Sequence, residues 1–420
     1  MNNELVCEEK PGTEYVNPLT RLARKLLRDR ISQLSVGRLV IRDSLDIEKD
    51  VVNKDDIIVE VHSLQFYLDV LLGGSNGAAG AYRDGHWSCN NLTALFQLLL
   101  RNQQTMDDVD SGLASLGKLW SRKRHMSNAN TREGSRSNIQ AHYDLGNDLF
   151  ELMLDKTMTY SSGYFLNEES SMEEASYEKL DRICRKLNLS STHEVLEIGT
   201  GWGSFAIHAA RYYGCHVTTT TISKEQFRLA NQRVRDANLH DLIDVQLCDY
   251  RDLEGFYDRL VSIEMIEAVG HEFLPTYFSK CAHLLKENGQ ACIQAITMPD
   301  QRYEQYLKSS DFIQQFIFPG SCVPSLTAIQ NAITEGSDLR ISHLEDFGLH
   351  YARTLRNWRD TFMSRLDEVR DMGYAEDFIR VWEYYLCYCE AGFRDRYTGV
   401  TQLVLDKPVM NRAELASLQD

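Results

Sequence analysis

The sequence lacks the features that mark membrane-spanning, secreted and metal-binding proteins. No run approaches the ~18 uncharged apolar residues that a spanning helix needs. The first residues, MNNELVCEEKPGTEY, are too acidic and too polar for a signal or transit peptide. The ten cysteines include no CxxC pair and no zinc-type spacing, so we expect reduced thiols and no metal site. Because the sequence has neither a spanning helix nor a targeting peptide, we expect a cytoplasmic protein.

The length and composition are those of a folded chain with more than one domain. At roughly 100–200 residues per domain, 420 residues predict two or three domains. The 43% hydrophobic and 25% charged content excludes a disordered chain. The net charge of −16 argues against a nucleic-acid-binding protein, and the acidic excess lies within residues 141–420.

Two basic stretches in the first third of the chain point to a membrane surface. Residues 19–34 form an amphipathic helical pattern whose basic positions are Arg21, Arg24, Lys25, Arg28 and Arg30. Residues 121–136 are also basic but have no helical periodicity. The helix could lie on an anionic bilayer or dock onto its own domain. We expect peripheral association with phospholipid at the inner face of the membrane, and leave a homodimer open.

The apolar runs predict a small domain followed by a large one. VGRLVI, DIIVEVHS and FYLDVLL predict a small sheet, so we expect an α+β N-terminal, lipid-associating domain at 1–120 and a basic linker at 121–138. From 139 to 420, strands alternate with helices, which predicts an α/β catalytic domain with a Rossmann-like, doubly wound parallel sheet. The helical, aromatic-rich region after 300 is expected to cap the site, with TQLVLDKP as a final strand.

A glycine-rich turn between a predicted strand and a helix indicates the cofactor. VLEIGTGWG places Glu197 before Gly199, Gly201 and Gly203, and such a turn brings backbone N–H groups close to a ligand. The spacing differs from the dinucleotide pattern G-x-G-x-x-G. A preceding carboxylate repels pyrophosphate but suits the ammonium and sulfonium of S-adenosylmethionine. A later strand ends in Asp249 and Tyr250, which fit adenine hydrogen bonding and stacking.

Ordered motifs between about 139 and 393 carry a family resemblance. They are IQAHYDLGNDLFELMLDKTMTYSSGYF, EIGTGWGSFAIHAA, TTISKEQ, DRLVSIEMIEAVG, QFIFPGSCVPS, FGLHYARTL and YYLCYCEAGF. With these motifs the chain resembles the cyclopropane-fatty-acyl-phospholipid synthases and mycolic acid cyclopropane synthases, which are S-adenosylmethionine-dependent methyltransferases. The first third resembles the N-terminal domain of the phospholipid-acting enzymes, which favours that branch.

The resemblance implies a set of site residues. The cofactor would be held by Tyr160, Ser161, the backbone of the three loop glycines, Thr221, Gln226 and Tyr250. A buried bicarbonate would be held by the Ser162 backbone, the Glu267 carboxylate and the Tyr351 hydroxyl, with Cys389 nearby. Two positions depart from the family pattern: Ser162 replaces a cysteine, and Gln294 replaces a histidine that could carry a proton. Glu264 lies in the same segment as Glu267 and could substitute for it.

The expected reaction adds a methylene group to the double bond of an unsaturated phospholipid acyl chain. Methyl transfer leaves a carbocation, which aromatic faces stabilise by roughly 1–2 kcal/mol each when desolvated. Bicarbonate would remove a proton so that a cyclopropane closes, with Glu267 accepting the proton in turn. Gln294 favours the alternative within this class, a methyl- or methylene-branched product. The alternatives outside it are an oxidoreductase that binds NAD or FAD and a non-enzymatic membrane-binding module.

Overall fold

The computed structural model describes residues 16–46, 53–103 and 146–408. The predicted boundary at 120, the linker at 121–138 and the second basic stretch lie outside these ranges. Within the described residues, no helix is both long enough and apolar enough to cross a membrane.

The N-terminal part is a small α+β unit. Its elements are α1 (Pro18–Ile31), β1 (Leu39–Arg42), β2 (Ile57–Val61), α2 (Gln65–Arg83), β3 (Trp87–Cys89) and α3 (Leu92–Arg101). Strand β2 pairs in parallel with β1 and antiparallel with β3. The prediction that FYLDVLL forms a strand was wrong, because this run begins α2. Phe66, Tyr67 and Val70 lie on one buried face of that helix. A short apolar run of this kind is compatible with a buried helix as well as with a buried strand.

The basic side of α1 is partly used inside the fold. Arg24 pairs with Asp43 at 2.6 Å and with Asp46 at 2.6 Å, and Arg28 pairs with Asp46 at 2.7 Å. Two of the cations expected to face lipid therefore hold α1 against the segment that follows β1. Arg21 remains exposed on the same helix.

The larger part contains a mixed sheet of seven strands. Its elements are α4 (Asn147–Met153), α5 (Met172–Lys186), β4 (Glu194–Ile198), α6 (Ser204–Tyr213), β5 (His216–Thr221), α7 (Lys224–Asp236), β6 (Ile243–Leu247), β7 (Tyr257–Ile263), α8 (Leu274–Leu284), β8 (Leu285–Thr297), α9 (Asp300–Tyr306), α10 (Leu326–Gly336), β9 (Arg340–Asp346), α11 (Gly348–Ser364), α12 (Leu366–Asp371), α13 (Glu376–Arg394) and β10 (Gly399–Asp406). The strand order is β6-β5-β4-β7-β8-β10-β9. Strand β10 is antiparallel to both neighbours, and the pairs from β6 through β8 are parallel.

Helices cover both faces of this sheet. One buried cluster joins the sheet to α5, α6 and α7, and another joins it to α8 and α10. Strand β4 lies near the middle of the sheet, and its Val195 and Leu196 side chains have no solvent exposure. The prediction of a Rossmann-like doubly wound sheet is confirmed, because parallel strands joined by helices can bury both faces in this way.

Helices α11 and α13 connect the two parts of the molecule. A third buried cluster includes residues of both helices together with residues of α2 and α3. The ring of Tyr384 lies 4.7 Å from that of Phe96 and 5.5 Å from that of Tyr82, measured between ring centroids. The hydrophobic core therefore continues from the N-terminal part into the helices above the sheet.

Candidate active site

A cavity of about 1070 Å³ lies where β4, β5 and β7 end and continues along α11 and α13 to the N-terminal part. The carboxyl ends of parallel strands are the usual ligand site of this architecture. The predicted site residues that line the cavity are Tyr160, Ser161, Glu197, Gly199, Gly201, Thr221, Gln226, Asp249, Tyr250, Glu267, Tyr351 and Cys389. Gly203 instead lies directly before α6 as its N-cap, with Ala230 next to it. Ser162 and Gln294 do not line the cavity themselves, but both contact Glu264, which does.

The glycine turn provides a cradle at the start of α6. Gly199 has φ +98° and Gly201 has φ +52°, in the left-handed region that glycine adopts without a steric penalty. A Cβ built on Gly201 meets no atom within 4 Å, so the space next to this backbone is open. The Thr200 hydroxyl oxygen is buried and has no hydrogen-bond partner among the described residues. Open space beside a polar backbone and an unsatisfied hydroxyl fit a polar ligand at this turn.

Side chains on the neighbouring strand ends supply further polar groups. The Thr221 hydroxyl donates to Gln226 Oε1 at 2.8 Å, which leaves the Gln226 amide NH₂ as a donor. The Asp249 carboxylate accepts from Arg251 Nε at 2.9 Å and from Arg251 Nη2 at 2.7 Å. Its predicted bond to adenine stays a prediction, and the Arg251 pairing fixes the carboxylate beside Tyr250.

Two buried ionisable groups lie beneath the glycine turn. Glu197 accepts from the Thr219 hydroxyl at 2.6 Å, and burial raises its pKa to about 8. The Lys179 ammonium donates to Ser161 Oγ at 2.8 Å, and burial lowers its pKa to about 8. Sequence reasoning missed Lys179. The available signal was its spacing, because a lysine four residues from Ala175 and from Ile183 lies on the apolar face of α5.

Glu264 receives the donors that were expected around bicarbonate. Its Oε1 accepts from the Ser162 backbone N–H at 2.9 Å and from Gln294 Nε2 at 2.7 Å. Its Oε2 accepts from the Tyr351 hydroxyl at 2.6 Å. Glu264 also lines the cavity. Burial raises its pKa, and the three donors act in the opposite direction by favouring the carboxylate.

Glu267 has different partners. Its Oε1 accepts from the Ile296 backbone N–H at 2.5 Å, and its Oε2 has no partner among the described residues. Burial and the neighbouring negative charge of Glu264 raise the pKa of Glu267 to about 8. In the structure the Tyr351 hydroxyl bonds Glu264 and not Glu267, because the backbone after β7 directs the Glu264 carboxylate at it. The expectation that Tyr351 and Glu267 hold one anion together stays a prediction.

Cys389 lines the cavity without being activated. Burial raises the pKa of its thiol, which keeps the sulfur protonated at neutral pH. Within the described ranges, no group of three or more histidine, cysteine, aspartate or glutamate side chains could hold a metal ion.

The sequence matches one family over most of the larger part. The model of the family described as mycolic acid cyclopropane synthetase matches residues 130–403. A tuberculostearic acid methyltransferase of Mycobacterium tuberculosis is 40% identical over 339 residues, which cover 79% of both chains. The cyclopropane-fatty-acyl-phospholipid synthase of Escherichia coli is 34% identical over 365 residues, which cover 85% of this chain and 90% of the synthase.

Solved structures show the same similarity. The mycolic acid cyclopropane synthase CmaA1, complexed with SAH and CTAB, matches with a TM-score of 0.60 and 30% identity. The match covers 65% of this chain and 98% of that structure. The cyclopropane synthase MmaA2 of Mycobacterium tuberculosis matches with a TM-score of 0.61 and 29% identity, over 65% and 98% of the two chains.

Proposed function

Because the chain belongs to the mycolic acid cyclopropane synthetase family of S-adenosylmethionine-dependent methyltransferases, we propose that it methylates a double bond in the acyl chains of membrane phospholipid. The observation that carries this proposal is the continuous cavity, which joins the polar glycine turn to an apolar surface of the N-terminal part. The alternatives of an oxidoreductase and of a non-enzymatic membrane module are not supported by the family.

The polar end of the cavity fits S-adenosylmethionine. The open space at Gly201 and the unsatisfied Thr200 hydroxyl suit a polar ligand, and the Gln226 amide NH₂ is a donor suited to ribose hydroxyls. Tyr250 supplies an aromatic face for adenine. When bound, S-adenosylmethionine supplies an electrophilic methyl group on a positively charged sulfur. A dry cavity favours transfer because water cannot compete with the weakly nucleophilic alkene.

The apolar end fits a hydrocarbon chain. The lining residues contributed by the N-terminal part are mostly apolar: Leu27, Ile31, Leu39, Ile41, Val59, Phe66, Val70, Leu95, Phe96, Leu99 and Leu100. The tyrosines Tyr384, Tyr385 and Tyr388 of α13 also line the cavity. These rings are suited to stabilise a carbocation on the acyl chain, by roughly 1–2 kcal/mol for each desolvated face.

Helix α1 supports phospholipid in a bilayer as the source of this chain. Leu27 and Ile31 line the cavity, whereas Leu19, Leu22 and Leu26 are 45%, 50% and 48% exposed. Lys25 is exposed beside them. A helix with apolar residues on both its inner and its outer side, and a cation between them, is suited to lie in the headgroup region while a lipid tail enters the protein.

We favour a methyl-branched alkene as the product. The 40% identity to a tuberculostearic acid methyltransferase and the Gln294 departure support it. The second candidate is the cyclopropane that the sequence motifs predict. It is favoured by the match to the Escherichia coli synthase, which covers 85% of this chain and includes the N-terminal part.

The test incubates purified protein with methyl-deuterated S-adenosylmethionine and vesicles of unsaturated phospholipid. Mass spectrometry of the acyl chains counts the deuterons, and NMR identifies the product. Three retained deuterons show an internal alkene with a methyl branch. Two retained deuterons show either a methylene branch, which has alkene signals in the carbon-13 spectrum, or a cyclopropane, which has upfield ring protons. A folded protein that binds S-adenosylmethionine but labels no lipid contradicts the proposal.

A further inference from the structure

We propose that the Glu264 carboxylate is the base of the reaction and that it fills the position in which the family resemblance predicts bicarbonate. This inference rests on the proposed methylation of an acyl double bond. It assigns to the chain itself a proton acceptor that would otherwise have to be bound from solution.

The geometry around Glu264 is that of an anion site already filled. A backbone N–H from Ser162, an amide NH₂ from Gln294 and a hydroxyl from Tyr351 all bond its two oxygens, at 2.6 to 2.9 Å. These groups come from three separated parts of the chain. Two of them, the Ser162 N–H and the Tyr351 hydroxyl, are groups that the resemblance assigns to bicarbonate. The third is Gln294, which stands where the family pattern has a histidine.

A relay of buried amides fixes which way the Gln294 bond runs. Lys186 can only donate, and its ammonium bonds Gln402 Oε1 at 2.5 Å. The Gln402 amide therefore presents its NH₂ to Gln294 Oε1, at 3.0 Å. Gln294 in turn presents its NH₂ to Glu264, which must accept. Oε1 of Glu264 therefore receives two N–H donors and Oε2 receives the Tyr351 hydroxyl, and three donors to one carboxyl group favour its ionised state.

The backbone of Glu264 is held in an unfavourable conformation. Its φ is +48°, in the left-handed region that residues other than glycine rarely adopt. The three hydrogen bonds offset this strain and keep the carboxylate at the cavity wall. Strain of this kind concentrates where a side chain must occupy one defined position for function.

Glu267 is the rival base, and its surroundings disfavour it. Its pKa of about 8 means that it is mostly protonated at neutral pH and cannot accept a further proton. The negative charge of Glu264 contributes to this shift, so ionisation of one of the two carboxyl groups disfavours ionisation of the other. The donors around Glu264 select it as the member of the pair that is ionised.

The proposed step balances without an oxidant or a reductant. Methyl transfer breaks the bond between sulfur and the methyl carbon and forms a carbon–carbon bond from the alkene electron pair. The acyl chain then carries a cation. Glu264 takes a proton from a carbon next to that cation, and the released C–H electron pair forms the new double bond, or the ring bond if the proton leaves the transferred methyl. Solvent removes the proton from Glu264 after the product leaves.

The experiment compares the whole protein with Glu264→Gln and Glu264→Gly in buffer freed of carbon dioxide. We expect wild-type turnover to be independent of added bicarbonate. Both variants should lose roughly 100-fold or more of turnover, the usual range for removing a general base, while S-adenosylmethionine affinity changes less than about threefold. The glycine variant leaves three donors around an empty volume, so bicarbonate, formate or acetate should restore part of its turnover.

A binding measurement separates failure of this inference from failure of the proposed function. Calorimetric titration with formate should show one anion site in Glu264→Gly and none at this position in the wild type, whether or not any lipid is methylated. Asn238→Gly is the backbone control, because Asn238 also has a positive φ (+56°) but lies on the exposed surface after α7. It should neither bind formate nor lose turnover.

Three results would overturn the inference. The first is wild-type turnover that falls when bicarbonate is removed. The second is turnover within about tenfold of wild type in Glu264→Gln or Glu264→Gly, since a base contributes more than this. The third is a folded Glu264→Gly protein that no small anion binds or rescues, because the carboxylate would then not fill an anion site.

Discussion

At the scale of single residues, Gly201 shows how a backbone conformation becomes a binding determinant. Its φ of +52° brings the turn close to the cavity, and a side chain there would project into open space rather than into protein. The ligand, and not the packing of the protein, is therefore what a larger residue at this position would meet.

We predict that Gly201→Val weakens S-adenosylmethionine binding by roughly tenfold or more, as measured by calorimetry, because the side chain takes volume that the ligand needs. The left-handed conformation also costs valine roughly 1–2 kcal/mol of stability. Gly373→Val is the matched control, since Gly373 has φ +93° and no atom within 4 Å of a built Cβ but lies outside the cavity lining. Equal loss of affinity in both variants would show that strain, not ligand contact, is responsible.

At the scale of secondary-structure elements, α1 divides its residues between two tasks. Arg24 and Arg28 bind Asp43 and Asp46, so they stabilise the N-terminal part. The exposed leucines are left to contact a membrane.

We predict that the double variant Leu22→Gln, Leu26→Gln binds anionic phospholipid vesicles roughly tenfold more weakly, because buried apolar area drives interfacial helix binding. Co-sedimentation measures this. The control is Leu166→Gln, Leu349→Gln, which alters two leucines outside α1 that are more exposed, at 68% and 53%, than Leu22 and Leu26. Unchanged binding of the α1 variant would place the membrane contact elsewhere.

Element packing also depends on one partly buried carboxylate. Glu345 on β9 accepts from Arg182 at 2.5 Å and from Lys186 at 2.5 Å, which ties α5 to the edge of the sheet. Although burial acts to raise its pKa, these two cations outweigh it and lower the pKa to about 2.

We predict that Glu345→Gln lowers the free energy of unfolding at pH 7 by about 2 kcal/mol, after allowance for solvent screening. The folded pKa lies below the unfolded value near 4.5, so this stability is fully present above pH 4.5 and is lost as the pH falls toward 2. Urea unfolding at pH 7, 5 and 4 should show the difference between wild type and variant beginning to shrink at the lowest pH. A difference that does not change below pH 5 would contradict the ionic origin.

At the scale of the whole molecule, a buried glutamate joins the two parts. Glu390 on α13 is 1% exposed and accepts from Thr93 Oγ1 of α3 at 3.0 Å. It also pairs with Arg356, Arg359 and Arg394. Because the core is continuous across this contact, the N-terminal part is expected to unfold together with the larger part.

We predict a single unfolding transition for the whole chain, coincident by tryptophan fluorescence and circular dichroism. Glu390→Ala should lower the free energy of unfolding by roughly 3–5 kcal/mol, since it leaves several cations without their shared partner. Glu376→Ala removes an exposed carboxylate from the same helix and should have little effect. Two separate transitions in the wild type would show that the parts are independent.

The sequence by itself determined the features that depend on neighbouring residues. The Glu197 to Gly203 turn, the alternation of strands and helices and the final strand were all predictable, because each is set by local spacing and burial. The order of these local motifs along the chain was also enough to indicate the family. They could not separate a buried helix from a buried strand at FYLDVLL, since a short apolar run fits both.

Only the tertiary structure decided which carboxylate receives the donors of the site. Ser162, Glu264, Gln294 and Tyr351 come together from segments that are far apart in sequence. Glu264 and Glu267 lie only three residues apart in the sequence. The left-handed turn after β7 and the packing of α11 determine which of the two carboxylates meets these donors. The pKa values of both depend on burial and on each other, which no local pattern specifies. Local sequence therefore fixed the chemistry available, and long-range packing fixed which residue performs it.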